Sequence, residues 1–367
     1  MKTILRAIPA AVLLLGLWAC GGTSDKCLGS STKCDGTCVS LKDDVMNCGT
    51  CGNACADGQT CSAGTCAATC ATGYDVCGDI CADLARDAVH CGSCDNACAV
   101  GYACVFGNCN AWESISQGPP SAMGWPDFVP SGADPIYVVS GWEVDAYSIS
   151  GDSWSAPSSG GTFGSDYAYP AWVGDNLYSI DGGNLYAYSI SGNSFSFTAI
   201  TDMPTSTDSQ ATSDGAGNLY SLADDGTIIG YNLDTSTLTT WDGPTDLSGE
   251  ERAAWDQKTG LVYLGVYSGS SFYSFDPTSG TVTALPSFPS DTGMSDAFCS
   301  DRQGHIYTAD AETTFPAMFD TATGTWSTDL PPFPYPLQDS GGCTVTADGY
   351  LYYSGAGATL RMQVFTP

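Results

Sequence analysis

The sequence predicts an all-β chain: a six-bladed β-propeller preceded by two small disulfide-rich modules. Three observations carry this. Sixteen of the 19 cysteines fall on one spacing ruler that is used twice. Further on, an apolar–aromatic dipeptide recurs six times at intervals of 41 to 45 residues. Helix-type periodicity is nearly absent from that second stretch, which is rich in Tyr, Trp, Ser, Thr, Gly and Asp.

The chain opens with a short basic region, Lys2 and Arg6, followed by an apolar run from Ile8 to Trp18. That run has the length of a signal-peptide core and is too short to span a bilayer. Leu17-Trp18-Ala19-Cys20 resembles a bacterial lipobox, which implies a signal peptide over 1–19 and a lipidated Cys20 as mature N-terminus. Residues 20–26 are then a lipid-anchored linker. The alternative is an ordinary secretory signal with a chance cysteine. Cysteine arithmetic favours the lipid: 19 is odd, and removing Cys20 leaves 18. Gly21 is not the Asp that favours inner-membrane retention, so the expected location is the outer membrane or cell surface.

Residues 27–66 and 70–109 form the two modules. Cys27, Cys34, Cys38, Cys48, Cys51, Cys55, Cys61 and Cys66 are separated by 6, 3, 9, 2, 3, 5 and 4 residues, and Cys70 to Cys109 repeat those gaps without an insertion. Modules of this size bury too little apolar surface to fold on that alone. Four disulfides at about 2–4 kcal/mol each offset the deficit. Pairing stays open, since eight cysteines allow about 105 connectivities. C-x-x-C pairs also bind zinc or iron–sulfur clusters, but an exported chain with eight cysteines per module favours disulfides. Cys48-Gly-Thr-Cys51-Gly-Asn-Ala-Cys55 and Cys91-Gly-Ser-Cys94-Asp-Asn-Ala-Cys98 resemble the core of the stigma-specific cysteine-rich family. The resemblance brings no catalytic motif.

Residues 112–367 form the propeller. The dipeptides are Ile136-Tyr137, Leu177-Tyr178, Leu219-Tyr220, Val262-Tyr263, Ile306-Tyr307 and Leu351-Tyr352. Each is followed by a pair seven positions apart: Tyr147/Trp154, Tyr188/Phe195, Tyr231/Leu238, Phe275/Val282 and Phe319/Trp326. Turn-formers such as Ser279-Gly280 lie between, which reads as strand, tight turn, strand. Four strands in a period of this length make a propeller blade. In the second unit they are expected at 167–173, 177–180, 185–190 and 194–200. Phe275-Asp-Pro-Thr-Ser-Gly-Thr-Val282 and Phe319-Asp-Thr-Ala-Thr-Gly-Thr-Trp326 resemble the kelch repeat, as does the doublet Gly182-Gly183. The sixth unit ends after its third strand, so Trp112–Ser116 is expected to supply the fourth and close the ring. A five-bladed domain with extra strands is the alternative.

An acidic residue precedes each blade's Tyr at a near-constant offset: Asp127, Asp166, Asp208, Glu251, Asp296 and Asp339. In the strand reading all six sit where the chain enters the innermost strand, forming a ring at one mouth of the axis. Such carboxylates repel unless a cation neutralises them, and Ca²⁺ suits converging oxygens. The plainer reading is that Asp favours turns before strands. Cys299 and Cys343 occupy near-equivalent inner-strand positions in blades five and six and are expected to be bonded.

The propeller carries 30 acidic and four basic residues. This excludes nucleic acid and anionic lipid headgroups as partners of that domain. A cationic partner, a divalent ion or a neutral glycan is compatible. The only histidines are His90 and His305, too few for copper ligation of the kind a kelch-type oxidase needs. No G-x-S-x-G elbow is present. Trp125, Tyr169, Trp172, Trp255, Phe288, Phe333 and Tyr335 lie in or near inter-blade loops, as blade packing or as a glycan platform. The expected function is a non-enzymatic, envelope-anchored recognition lipoprotein. The alternatives are a carbohydrate-active enzyme working with paired carboxylates, and a structural envelope-assembly factor.

Overall fold

The computed structural model describes residues 27, 31–56, 59–67, 70, 73–78, 80–99, 102–115, 126–129, 135–140, 143–155, 170–173, 176–181, 183–191, 194–203, 210–223, 225–247, 251–266, 269–289, 297–309, 315–334, 342–355 and 358–365. Among these there is no helix. Six four-stranded antiparallel sheets follow one another as the blades of a propeller, and four two-stranded hairpins precede them.

From the axis outward, blade one is Pro126–Val129, Ile136–Ser140, Glu143–Ser148 and Ser153–Ser155. Blade two is Ala171–Val173, Asn176–Asp181, Asn184–Ser191 and Ser194–Asp202. Blade three is Thr212–Ser213, Asn218–Leu222, Thr227–Asn232 and Thr237–Asp242; blade four is Glu251–Asp256, Leu261–Val266, Phe272–Asp276 and Thr281–Ala284. Blade five is Ala297–Ser300, His305–Ala309, Pro316–Asp320 and Thr325–Ser327. Blade six has three strands from the C-terminal end, Cys343–Val345, Tyr350–Gly355 and Ala358–Gln363. Its outer strand is Glu113–Ser114, with Ser114 opposite Leu360 and Glu113 opposite Arg361. The Arg361 Nε–Glu113 Oε2 pair at 3.0 Å and the Arg361 guanidinium 5.2 Å from the Tyr350 ring pin this closure. The two ends of the propeller segment therefore share one sheet, and the outer side of Ala358–Gln363 is paired at Leu360 and Arg361.

The recurring dipeptide is explained by strand periodicity. Adjacent residues of a strand face opposite sides, and each side of a blade packs on a different neighbour. Leu219 packs in the cluster shared with blade two, while Tyr220 packs in the cluster shared with blade four. Val262 and Tyr263 face blades three and five, and Ile306 and Tyr307 face blades four and six. Ile136 with Tyr147 and Tyr352 seals the seam between blades one and six. Each seam thus has its own apolar cluster, and the core is a ring of six.

The seven-residue pairs are directly opposed across the outer hairpin at Tyr147/Trp154, Tyr231/Leu238, Phe275/Val282 and Phe319/Trp326. Blade two departs from this. Its third and fourth strands run longer, so Tyr188 faces Phe197 and Phe195 faces Ile190. The turn there is tighter, which moves the register by two residues. A bulge between Leu185 and Tyr186 then shifts the pairing one residue further, so that Asn184 pairs with Asp202.

The two modules share one disulfide pattern. Cys27–Cys38, Cys34–Cys51, Cys48–Cys61 and Cys55–Cys66 are matched by Cys70–Cys81, Cys77–Cys94, Cys91–Cys104 and Cys98–Cys109. Backbone contact is equally repeated. A Cβ on Gly92 would lie 2.4 Å from the Gly107 carbonyl oxygen, and one on Gly49 would lie 2.5 Å from that of Gly64. Both positions require glycine for this approach.

Candidate functional site

Of the six acids read from the sequence, Asp166, Asp208, Asp296 and Asp339 lie outside the described residues, as does Cys20. Asp127 is the second residue of blade one's inner strand, opposite Val139, and Glu251 opens blade four's, opposite Val266. Among the described residues, the groups with metal-ligand proximity are Cys48/Cys55/Cys66 and Cys91/Cys98/Cys109. Disulfides consume all six sulfurs.

The opposite mouth of the axis, where the chain leaves the inner strands, is described in detail. Blades three and five make the same turn there. In blade three, Asp214 Oδ1 accepts from Ala216 N at 2.7 Å and Asn218 N at 3.0 Å, and Gly215 N donates to Ser213 Oγ. In blade five, Asp301 Oδ1 accepts from Gln303 N at 2.7 Å and His305 N at 3.0 Å, and Arg302 N donates to Ser300 Oγ. The short carboxylate satisfies amides that the hairpin leaves unpaired. Blade four uses its Asp differently. Asp256 Oδ2 accepts from Thr259 N and Thr259 Oγ1, while Oδ1 reaches into blade five to accept from Gly304 N at 2.9 Å and Ser300 Oγ at 3.3 Å.

Above these turns lies a cavity of about 30 Å³ on the axis, lined by inner strands of blades two to six and with room for about two water-sized atoms. Trp172, Gln210, Thr212, Trp255, Ser300 and Arg302 face it. Cys299 and Cys343 back it and are bonded to each other, with Cα atoms 5.7 Å apart. The bond ties the inner strands of blades five and six across the axis wall. Burial pushes the Arg302 guanidinium below its ordinary pKa, and Asp214 opposes that shift. Tyr220, on the neighbouring seam, is pushed up to about 12 by burial, with Asp214 adding to the shift.

The aromatic positions singled out in the sequence serve packing. Trp172 stacks on Tyr137 at 5.1 Å and Trp255 on Tyr220 at 5.8 Å. Phe288 is buried against Phe272 and Trp326, and Phe333 against Trp112 and Tyr353. Trp125, Tyr169 and Tyr335 lie outside the described residues. Both histidines are engaged in turns: His90 Nδ1 lies 2.6 Å from Asp87 Oδ2, and His305 Nδ1 lies 2.6 Å from Asp301 Oδ2.

Sequence reading gave no sign of one further feature, the docking of the second module on the propeller. Val105 is buried in the cluster shared by blades five and six, with Phe106 and Trp112 packed against it. The Phe106 ring lies 4.7 Å from His305, Arg86 pairs with Asp320 at 3.1 Å, and Asn110 Nδ2 donates to the Gln363 carbonyl at 2.6 Å. Burial raises the Asp320 pKa, but the amides of Ala322 and Thr323, then His305 and Arg86, outweigh it and hold the carboxyl below its ordinary range. The first module touches the second through Thr60 Oγ1, 3.1 Å from Cys81 Sγ.

The profile of the stigma-specific STIG1-like protein family matches residues 16–69 and again 63–112, so the paired cysteine modules are similar to that family. No curated protein matches the chain. Among solved structures the chain is similar to a structural genomics protein of unknown function from Bacteroides thetaiotaomicron VPI-5482. Identity is 14%, the TM-score is 0.50, and the likeness covers 69% of this chain and 76% of that one. At such identity the likeness speaks to the fold alone.

Proposed function

We propose that the chain is an exported recognition protein, anchored to the outer membrane or cell surface by a lipid on Cys20. It presents its propeller to a protein surface or a neutral glycan and performs no chemistry on it. The observation that carries this reading is the docked second module. Val105, Phe106, Arg86 and Asn110 fix the propeller on its stapled base, so the head is held at a set orientation rather than trailing on a flexible linker. Binding over catalysis is supported by the imidazole Nδ1 atoms of His90 and His305, which face turn carboxylates. The excess of 30 acids over four cations in the propeller segment disfavours polyanions.

The test uses the full chain in detergent, incubated with neutral polysaccharides and with envelope extract. The expected result is saturable retention of a glycan or an envelope protein, with no release of reducing ends. Turnover of any polysaccharide replaces this reading with a glycoside hydrolase, and no retention from either source overturns it.

A further inference from the structure

We propose that the axial channel is a binding site for a small carboxylate, held between the Arg302 guanidinium and the Trp255 indole N–H. This stands independently of the recognition function above, which concerns macromolecular partners.

Arg302 has φ +62°, in the left-handed region. That region is costly for any residue bearing a Cβ and is ordinarily given to glycine. The equivalent residue of the matching turn in blade three is Gly215, with φ +74°. The two turns share their hydrogen bonds atom for atom, so glycine would serve in blade five as well. The chain instead keeps a long cation there against local preference. Phe106, the other large side chain with this backbone geometry, is held by its docking contact with His305. Among the described residues Arg302 has no such ring contact. Strain kept at a solvent-poor position points to function.

From blade five, Arg302 reaches the turn of blade three, where a Cβ on Gly215 would lie 3.7 Å from its Nη1. It crosses the exit mouth of the channel. Among the described residues its guanidinium has no hydrogen bond and no ion pair; Asp214 acts on it only through the field. The Asp214 oxygens are already occupied by Ala216 N, Asn218 N and Asn218 Nδ2 at 2.6 to 3.0 Å. In a propeller segment with 30 acidic residues, a largely buried arginine without a carboxylate partner is conspicuous.

The same cavity contains a second unsatisfied donor. Trp255 Nε1 is buried and makes no hydrogen bond. Its ring is fixed by the stack on Tyr220, and its backbone N–H by Thr212 Oγ1 at 2.9 Å. Buried donors are paired as a rule. Arg302 and Trp255 both line a space of about 30 Å³, which accommodates about two water-sized atoms. A carboxylate supplies two oxygens, a charge opposite to arginine and a planar shape that matches the guanidinium fork.

The test is calorimetric titration of the full chain with sodium acetate, as a free small acid, and with sodium glucuronate, as a sugar acid. Sodium chloride at equal ionic strength and glucose are the controls. Wild type is expected to bind at least one of the two acids with millimolar affinity; which one binds more tightly assigns the source of the carboxylate. Arg302→Gly is expected to fold normally, since it restores the blade-three turn, and to lose binding at least tenfold. Trp255→Phe keeps the stack and removes the N–H, and is expected to weaken binding several-fold. Absence of heat from both acids in wild type, equal heat from chloride, or unchanged affinity in Arg302→Gly overturns the proposal.

Discussion

Asp256→Ala is expected to destabilise the propeller more than any other single carboxylate removal at its exit mouth. Asp256 ends the inner strand of blade four and is fully buried. Its four accepted hydrogen bonds join its own turn to the turn of blade five. The alanine variant strands two backbone donors, Thr259 N and Gly304 N; the hydroxyls of Thr259 and Ser300 can rotate to other acceptors. Each stranded buried donor costs about 1–3 kcal/mol. The Thr259 amide sits nearer solvent and takes the low end, so the sum is about 2–4 kcal/mol. A segment of this length unfolds with an entropy of about 0.5 kcal/mol/K, which turns that sum into a fall in Tm of about 4–8 °C. Scanning calorimetry on the full chain reads it. Asp276→Ala is the control, because Asp276 makes a similar turn with Thr278 N and Ser279 Oγ but at the exposed outer hairpin. Equal melting of the two variants would refute the idea that Asp256 stitches blade four to blade five.

Two further outcomes follow from the same structure. Replacing both Cys299 and Cys343 by alanine opens a 44-residue separation and is expected to cost about 4 kcal/mol in the chain-entropy account, a drop in Tm of about 8 °C; a change under about 1 °C would show that the axis wall needs no staple. Burial lifts Tyr220 and Tyr352 to about 12, and also lifts Tyr147, Tyr307 and Tyr353 above their ordinary value. Their folded pKa values are raised, so the stability they contribute is complete below the ordinary value of 10.0 and is lost as pH climbs toward 12 and beyond. Phenolate absorbance should therefore show these five ionising only together with unfolding, and a smooth reversible titration of all 19 tyrosines near pH 10 would contradict it.

The ring of blades was legible because each seam needs one apolar residue facing back and one aromatic facing forward. Leu219-Tyr220 and Val262-Tyr263 are that requirement written at neighbouring positions. Closure was legible for a related reason: three terminal strands without a fourth demand a donor, and Glu113–Ser114 supplies it. Blade two's register was not legible. The spacing of Tyr188 and Phe195 imitates the other blades, and only the longer ladder and the bulge at Leu185/Tyr186 reveal that the turn is shorter. Docking of the second module was hidden too, because Val105 and Phe106 look like ordinary module residues until blades five and six are placed beside them.

The axial site illustrates why function was harder to read than fold. The repeated acids read from the sequence lie where the chain enters the inner strands, whereas at the exit turns Asp214, Asp256 and Asp301 spend their oxygens on nearby amides and hydroxyls. What distinguishes the site is a break in repetition. Ser213-Asp214-Gly215 and Ser300-Asp301-Arg302 align as one turn, and at its left-handed position glycine is replaced by arginine. That difference could have been found in the sequence by aligning the blades at their exit turns instead of at their tyrosines. A structural repeat sets the cheapest residue for each position, so the position that departs from it at an energetic cost is the one that carries something other than the fold.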